Sequence, residues 1–241
     1  MPSKIRLYFS KELKANLLSN LSAEQSHYIK NVMRLKPGDT ISLFNSVNGE
    51  WIAKIVSHNK GNTEFKVEKI FKNIKTENNI WLAFSPIKKN PLDVMIQKTT
   101  ELGVQKFIPI LSERTIVKEI NNERIKKIIV EASEQSNRIS IPKIESLQPL
   151  KIFLENFPSN GSLIFCDINS NKSDLKNTLS KKNKGPICVL VGPEGDFSEN
   201  ERQLIIEKKE IFSLSLASNI LRAETAAIAS VTIVNYHLNL N

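Results

Sequence analysis

Two short segments of the chain combine residue types that suit the binding of a nucleoside-like ligand. The first is Gly192-Pro193-Glu194-Gly195, and the second runs from Leu216 to Ala226. Each follows a short apolar run and precedes a predicted helix, so each offers main-chain amides at a helix N-terminus. Glycines also let a ligand approach the backbone closely. Since the carboxyl ends of parallel strands meet at one edge of a sheet, we expect both segments to face one ligand.

Arg222 stands directly ahead of the last predicted helix, where a cation is unfavourable unless it has an anionic partner. Glu224 and Thr225 follow in the first turn, where the helix dipole favours an acidic residue. Arginine is scarce in this chain, with 7 among 34 basic residues. A chain that uses lysine by default keeps arginine where a planar, bidentate donor is needed. Arg222 is therefore a candidate to contact a carboxylate or phosphate.

Positive charge is concentrated at the front of the chain. Residues 1–72 carry 12 Lys and Arg against 6 Asp and Glu, a net of +6 out of the total of +9. Lysines and arginines that neutralise phosphates release counterions, so this excess favours a polyanionic partner. The scarce arginines of the region, Arg6 and Arg34, strengthen that interpretation. An alternative is a general lysine bias without function.

The hydrophobic pattern predicts two domains, residues 1–72 and residues 73–241. The first reads as a small, mainly β module whose helix is capped by Ser22, with a hairpin at Asn48-Gly49. After a polar stretch at 72–79 the pattern alternates between strand and helix, which predicts an α/β domain with a parallel sheet. The predicted strands of this domain are Ile80–Phe84, Phe107–Leu111, Leu163–Cys166, Ile187–Val191 and Phe212–Leu216. Ser198 and Glu201 form a predicted capping box.

Several classes of protein are disfavoured. Cys166 and Cys188 lie inside apolar runs, and the three histidines are isolated, so we expect neither a metal nor a disulfide. No lysine-bearing phosphate loop and no G-x-G-x-x-G motif is present, which disfavours enzymes of nucleoside triphosphates and dinucleotides. No apolar run approaches the length of a membrane span, and the first residues lack the apolar stretch of a secretory signal. We therefore expect a cytoplasmic protein without membrane contact.

Five motifs, in this order along the chain, carry a resemblance to a known family. They are Val32–Asp39, Lys98–Val104, Glu131–Arg138, Gly192–Gly195 and Ile220–Ala226. Together they resemble the ribosomal RNA small subunit methyltransferase E family of the SPOUT superfamily, whose members methylate N3 of a uridine in 16S rRNA. The resemblance covers nearly the whole chain.

The resemblance implies an architecture, a cofactor and partners. It implies a PUA-like RNA-binding domain at the front, followed by a SPOUT-type α/β domain with a C-terminal trefoil knot. The implied cofactor is S-adenosylmethionine, and no metal is implied. The implied partners are 16S rRNA of the small ribosomal subunit and a second copy of the chain in a homodimer.

The resemblance also implies roles for individual residues. Arg222 or Arg138 would stabilise the uridine anion, and Glu224 or Glu101 would accept its N3 proton. In the front domain Arg6, Arg34 and Lys36 would bind RNA. The cofactor would be bound by Leu190, Gly192, Pro193, Glu194, Gly195, Leu216, Ala217, Ile220, Leu221, Thr225 and Ala226.

This chain departs from the family pattern at two places. Asp196 stands where a second glycine is usual. Ala217-Ser218-Asn219 replaces a segment that usually begins with glycine and carries arginine just before Ile220. One alternative function is therefore a non-catalytic ribosome-binding factor, with a degenerate pocket blocked by Asp196 and Asn219. A nucleotide-dependent enzyme acting on a small molecule is a second alternative, which the missing phosphate-loop lysine disfavours.

Overall fold

The computed structural model describes residues 5–59, 61–168, 170, 185–208 and 210–239. These residues form two compact units. The first unit comprises Met1–Thr76 together with Ser133–Ile141, and the second comprises Glu77–Ala132 together with Pro142–Asn241. The predicted boundary after residue 72 lies close to the division at 76/77. The sequence pattern did not indicate that residues 133–141 would join the first unit.

The first unit is built on a five-stranded sheet. Its elements are β1 (Arg6–Tyr8), β2 (Leu18–Asn20), α1 (Ala23–His27), β3 (Thr40–Asn45), β4 (Gly49–Asn59) and β5 (Asn62–Lys72). The strand order is β1-β3-β4-β5-β2, with β1 parallel to β3 and the other pairs antiparallel. Alternate apolar residues of these strands form one core, which includes Leu7, Leu43 and Phe65.

Local sequence explains the helix and the hairpin of the first unit. Ser22 caps α1, and Gln25 completes the capping box, as the sequence predicts for the cap. After His27 the α-helix gives way to a π-helical turn, Tyr28–Val32, which prolongs the helical segment by five residues. Between β3 and β4 the side chain of Asn45 accepts hydrogen bonds from the amides of Val47 and Asn48, which closes the predicted hairpin.

The second unit contains a parallel sheet with helices packed on it. Its elements are β6 (Ile80–Phe84), α2 (Lys89–Glu101), β7 (Lys106–Leu111), α3 (Asn122–Gln135), β8 (Lys143–Ile144), β9 (Gln148–Pro149), α4 (Leu150–Asn156), β10 (Ser162–Cys166), β11 (Ile187–Val191), α5 (Glu199–Ile206), β12 (Ile211–Leu214) and α6 (Ala223–Asn239). The last three residues of α3 belong to the first unit. The strand order is β12-β10-β11-β6-β7-β8, and β9 also pairs with β7.

All strand pairs of this sheet are parallel, as the alternating pattern predicts. Every residue of β11 is buried, because helices cover a parallel sheet on both faces. The capping box of Ser198 and Glu201 at the start of α5 is confirmed. Gly103 ends the α2 region with a φ of +96°, a conformation that glycine adopts without strain. In the described ranges, no helix is both long enough and apolar enough to cross a bilayer.

Candidate functional site

The carboxyl edge of the parallel sheet brings the two predicted ligand loops near each other. β10 pairs with β11 on one side and with β12 on the other. Beyond β10 the amide of Asp167 donates to the carbonyl of Leu214 at 3.2 Å. Gly192 and Ser215, which directly follow β11 and β12, thus flank the end of β10 at a separation of about 10 Å, two strand spacings. This separation is comparable to the length of a nucleoside.

The turn from Pro193 to Asp196 is fixed by its own hydrogen bonds. The amide of Asp196 donates to the carbonyl of Pro193 at 3.0 Å, and the Asp196 carboxylate accepts from the amide of Phe197 at 2.8 Å. Asp196 has a φ of 58°, in the left-handed region where glycine is favoured and aspartate is tolerated. Its side chain is therefore turned back to its own backbone. The amides of Glu194 and Gly195 have no hydrogen-bond partner within the described part of the chain.

Gly192 is required by packing. A Cβ atom at this position would lie 2.9 Å from the ring of Phe197, closer than carbon atoms approach. Phe197 is itself buried and packs edge-on against Phe165 of β10, with 5.5 Å between the ring centroids. The turn is thus attached to the core directly beneath it.

The second loop, residues 215–221, has backbone amides and carbonyls that a ligand could bind. Among the described residues it makes no hydrogen bond, and Ala217 to Ile220 are exposed. Ile220 is 83% exposed, which is unusual for an isoleucine. The first intrahelical bond of α6 runs from the amide of Ala226 to the carbonyl of Arg222 at 2.8 Å. The preceding amides of α6 have no partner among the residues that the structure describes and can bind a ligand.

Arg222 and Glu224 lie together at the start of α6. Arg222 is exposed and Glu224 is half-buried. Neither side chain has an ion pair or hydrogen bond with another residue that the structure describes. Since the N-terminal dipole disfavours a cation, the exposed guanidinium suits an anionic ligand group.

Within one chain, Glu101 lies far from Arg222. It lies at the end of α2, where it forms an ion pair with Lys98 at 2.9 Å. The adjacent Leu102 accepts a hydrogen bond from Asn235 of α6. Asn235 is twelve residues beyond the start of α6, which corresponds to about 18 Å along the helix axis.

Cys166, near the carboxyl edge, lacks the lowered pKa of a reactive thiol. Burial raises the pKa of Cys166 to about 12, and a hydrogen bond with Ser230 of α6 opposes that shift. The thiol is therefore neutral at physiological pH. Within the ranges that the structure describes, no three His, Cys, Asp or Glu residues are grouped as metal ligands.

The structure corrects the role expected for Arg6. Instead of facing RNA, Arg6 is 9% exposed and forms an ion pair with Glu50 at 3.0 Å. It also donates to the carbonyls of Ser133 and Arg138 at 2.7 and 2.6 Å, and its guanidinium lies over the ring of Phe44. Burial lowers the pKa of Arg6, and the Glu50 carboxylate opposes that shift. Arg6 thus caps the C-terminal end of α3 inside the first unit.

Arg138 also belongs to the first unit and is buried. Its Nε donates to the hydroxyl of Ser140 at 2.7 Å. The side chains of Arg34 and Lys36, in contrast, are exposed on the same unit. Arg34 follows the π-helical turn with a φ of 56°, a strained conformation for arginine. Both cations are placed where a phosphate has access to them.

Sequence reasoning missed Arg114, which contacts the glycine turn. Its Nη1 donates to the carbonyl of Gly195 at 3.0 Å. The scarcity of arginine would have drawn attention to it, but its loop shows no motif of its own. Glu201 was recognised only as a cap, whereas it also accepts from the amide of Glu113 at 2.8 Å.

Comparisons with known proteins match both units. Residues 74–235 match the family model described as RNA methyltransferase domain, and residues 21–68 match the one described as RNA methyltransferase PUA domain. The ribosomal RNA small subunit methyltransferase E of Rickettsia conorii is 33% identical over 228 residues, which cover 94% of this chain and 93% of the relative. The protein of that name from Buchnera aphidicola subsp. Acyrthosiphon pisum is 33% identical, with 94% and 91% covered.

The chain belongs to the ribosomal RNA small subunit methyltransferase E family. A crystal structure of the family member from Neisseria gonorrhoeae, bound to S-adenosyl methionine, superposes with a TM-score of 0.85 at 28% identity. That match covers 96% of this chain and 97% of the other. The predicted α/β class with a parallel sheet, preceded by a small β domain, is thereby confirmed, whereas the trefoil knot stays a prediction. The second unit has the α/β fold of the family's RNA methyltransferase domain, and the β unit at the front matches the family's PUA domain.

Proposed function

We propose that this protein transfers a methyl group from S-adenosylmethionine to N3 of a uridine in 16S rRNA. The observation that carries the proposal is the pair of loops at the carboxyl edge, whose amides have no partner among the described residues, with the exposed Arg222 directly after the second loop. Membership of the family supplies the reaction class, since the relatives are named as methyltransferases of small-subunit ribosomal RNA.

The residues present fit the cofactor. The amides of Glu194 and Gly195, of residues 215–221 and of the first turn of α6, none of which has a partner in the described ranges, offer donors to its polar groups. Apolar side chains next to these donors can contact the adenine ring. The residues proposed to bind the cofactor are Leu190, Gly192, Pro193, Glu194, Gly195, Leu216, Ala217, Ile220, Leu221, Thr225 and Ala226. When bound, S-adenosylmethionine supplies an electrophilic methyl group.

The side chains at the start of α6 can deprotonate and stabilise the nucleophile, N3 of the uridine. N3 of uridine carries a proton that must leave before the nitrogen attacks, and the resulting anion needs a cation nearby. We assign proton acceptance to Glu224 and stabilisation of the anion to Arg222, because the two lie within one turn of each other. Glu101 and Arg138 are weaker candidates. Glu101 is engaged with Lys98 at the far end of α2, and Arg138 is buried with Ser140 in the first unit.

The binding of rRNA and the oligomeric state of the protein are also proposals. Arg34 and Lys36 of the first unit would bind backbone phosphates of the rRNA, whose charge the net +9 of the chain complements. We further propose a homodimer, a trefoil knot around the cofactor and a cytoplasmic location, all of which follow from the family resemblance.

The alternative of a non-catalytic ribosome-binding factor is favoured if Asp196 and Asn219 block the pocket, and Asn219 is exposed. The Asp196 carboxylate is instead bound to the amide of Phe197, and it leaves the amides of Glu194 and Gly195 available. This geometry favours a working cofactor turn.

The decisive experiment is methylation of small ribosomal subunits and of free 16S rRNA by the purified protein, with mass mapping of the product. We expect one uridine to gain a methyl group at N3, and 16S rRNA from cells that lack the protein to be unmethylated at that position. Cofactor binding without methylation of either substrate would support the binding factor instead. The substrate that reacts faster identifies the natural one.

A further inference from the structure

The loop that follows β7, Ser112 to Thr115, is anchored from below by a chain of buried hydroxyl groups. The hydroxyl of Ser85 lies 3.2 Å from that of Ser112, which in turn lies 2.7 Å from the hydroxyl of Thr115. Thr115 also accepts from the amide of Ser112 at 3.0 Å. All three residues are buried, and buried polar groups that are fully paired hold their backbone rigidly.

The same loop is anchored to α5 by a buried carboxylate. Glu201 accepts from the amide of Ser198 at 3.0 Å through one oxygen and from the amide of Glu113 at 2.8 Å through the other. A charged acceptor makes such hydrogen bonds stronger than neutral ones. Since α5 begins directly after the glycine turn, Glu201 ties the Glu113 loop to the segment that carries the turn.

Arg114 extends from this anchored loop to the glycine turn. Its Nη1 donates to the carbonyl of Gly195 at 3.0 Å, and a Cβ built on Gly195 would lie 3.5 Å from the Cβ of Arg114, so the stem of the arginine packs on the glycine. That carbonyl shares a planar peptide with the amide of Asp196, which donates to Pro193. The peptide between Gly195 and Asp196 is therefore fixed at both its oxygen and its nitrogen.

We propose that Arg114 is a positioning residue for cofactor binding, acting through the carbonyl of Gly195. By fixing this peptide it keeps the turn in the conformation in which the amides of Glu194 and Gly195 are available to the ligand. The inference rests on the proposed function for the identity of the ligand, S-adenosylmethionine, whereas the clamp on the turn stands independently of it.

The test uses the full chain with two substitutions of Arg114. Arg114→Met keeps the aliphatic stem over Gly195 and removes the donor, while Arg114→Lys keeps one donor. Arg124→Met is the matched control, because Arg124 of the same unit is partly exposed and pairs with Asp93 away from the turn. In the protein without cofactor, hydrogen–deuterium exchange at the Asp196 amide should be at least about threefold faster in Arg114→Met than in the control.

Cofactor binding by calorimetry and steady-state kinetics complete the test. Arg114→Met should raise Kd and KM for S-adenosylmethionine about fivefold or more, the loss of one charge-assisted hydrogen bond. Turnover at saturating cofactor should stay close to that of the control, and Arg114→Lys should recover part of the affinity. Exchange and affinity in Arg114→Met that equal those of Arg124→Met overturn the inference. Failure of the wild-type protein to bind the cofactor would instead refute the proposed function.

Discussion

Arg6 and Glu50 form an ion pair in which both side chains are almost fully buried, with 6% and 5% of their surface exposed. The remaining donors of Arg6 reach carbonyls at and beyond the end of α3. One arginine near the start of the chain thus binds a segment more than 120 residues later, because residues 133–141 are part of the first unit.

Arg6→Ala should destabilise the first unit strongly. Removal of one partner leaves Glu50 charged and buried, and breaking such a pair costs about 3–5 kcal/mol. Urea denaturation followed by tryptophan fluorescence measures the loss in a Trp81→Phe background, where Trp51 of the first unit supplies the signal. Arg34→Ala, at an exposed arginine of the same unit, is the control and should change the free energy of unfolding by less than about 0.5 kcal/mol. A comparable loss in both variants would contradict the structural role of Arg6.

Arg34 and Lys36 should contribute to RNA affinity without supporting the fold. Each Ala variant should weaken binding and reduce the slope of log K against log salt by about one. Filter binding of a 16S rRNA fragment over a salt series measures both effects. Lys14, an exposed lysine paired with Glu12, supplies the control variant Lys14→Ala. Salt slopes that do not differ from that control would exclude the two residues from the RNA surface.

Arg34→Gly separates charge from backbone strain. Because Arg34 has a φ of 56°, glycine relieves a strain of about 1 kcal/mol while it removes the cation. The variant should bind RNA as weakly as Arg34→Ala but unfold at higher urea concentration. If Arg34→Gly were less stable than Arg34→Ala, the left-handed conformation would not be a source of strain.

Arg222→Lys should lower turnover about tenfold or more, a loss of at least about 1.4 kcal/mol, because lysine keeps the charge but not the planar fork. The melting temperature should not change, since Arg222 is exposed and has no partner among the described residues. Single-turnover methylation and thermal denaturation measure the two effects. An Arg222→Ala protein that loses several kcal/mol of stability yet methylates normally would make Arg222 a structural residue.

Glu224→Gln should reduce turnover about a hundredfold or more, as expected for loss of a general base. The deficit should shrink as the pH rises, because uridine N3 then loses its proton to solvent. A pH series of single-turnover rates for wild type and variant measures this convergence. Parallel profiles would remove Glu224 from the proton transfer.

The sequence by itself determined the α/β class of the second unit and the place of the two proposed ligand loops. β6 and β11 coincide with predicted strands because a strand that is buried on both faces must be apolar throughout, which is visible without any partner. The N-terminal cap of α5 could also be predicted from the sequence. The side chains of Ser198 and Glu201 each accept a hydrogen bond from the other residue's backbone amide, within four residues. The carboxyl-edge position of Gly192 follows from the same local pattern.

The tertiary structure alone decided which polar residues serve the fold. A lone arginine has the same sequence signature whether it faces RNA, as expected for Arg6, or a buried glutamate 44 residues away, as found. The contact of Arg114 with Gly195 spans 81 residues, and no local periodicity records it. Likewise the short strand β2 lacks an apolar run, because its position is set by pairing with β5 at the sheet edge. Local hydrogen bonds and burial patterns are encoded within a few residues, whereas long-range polar pairs depend on strand order and on how the chain folds back.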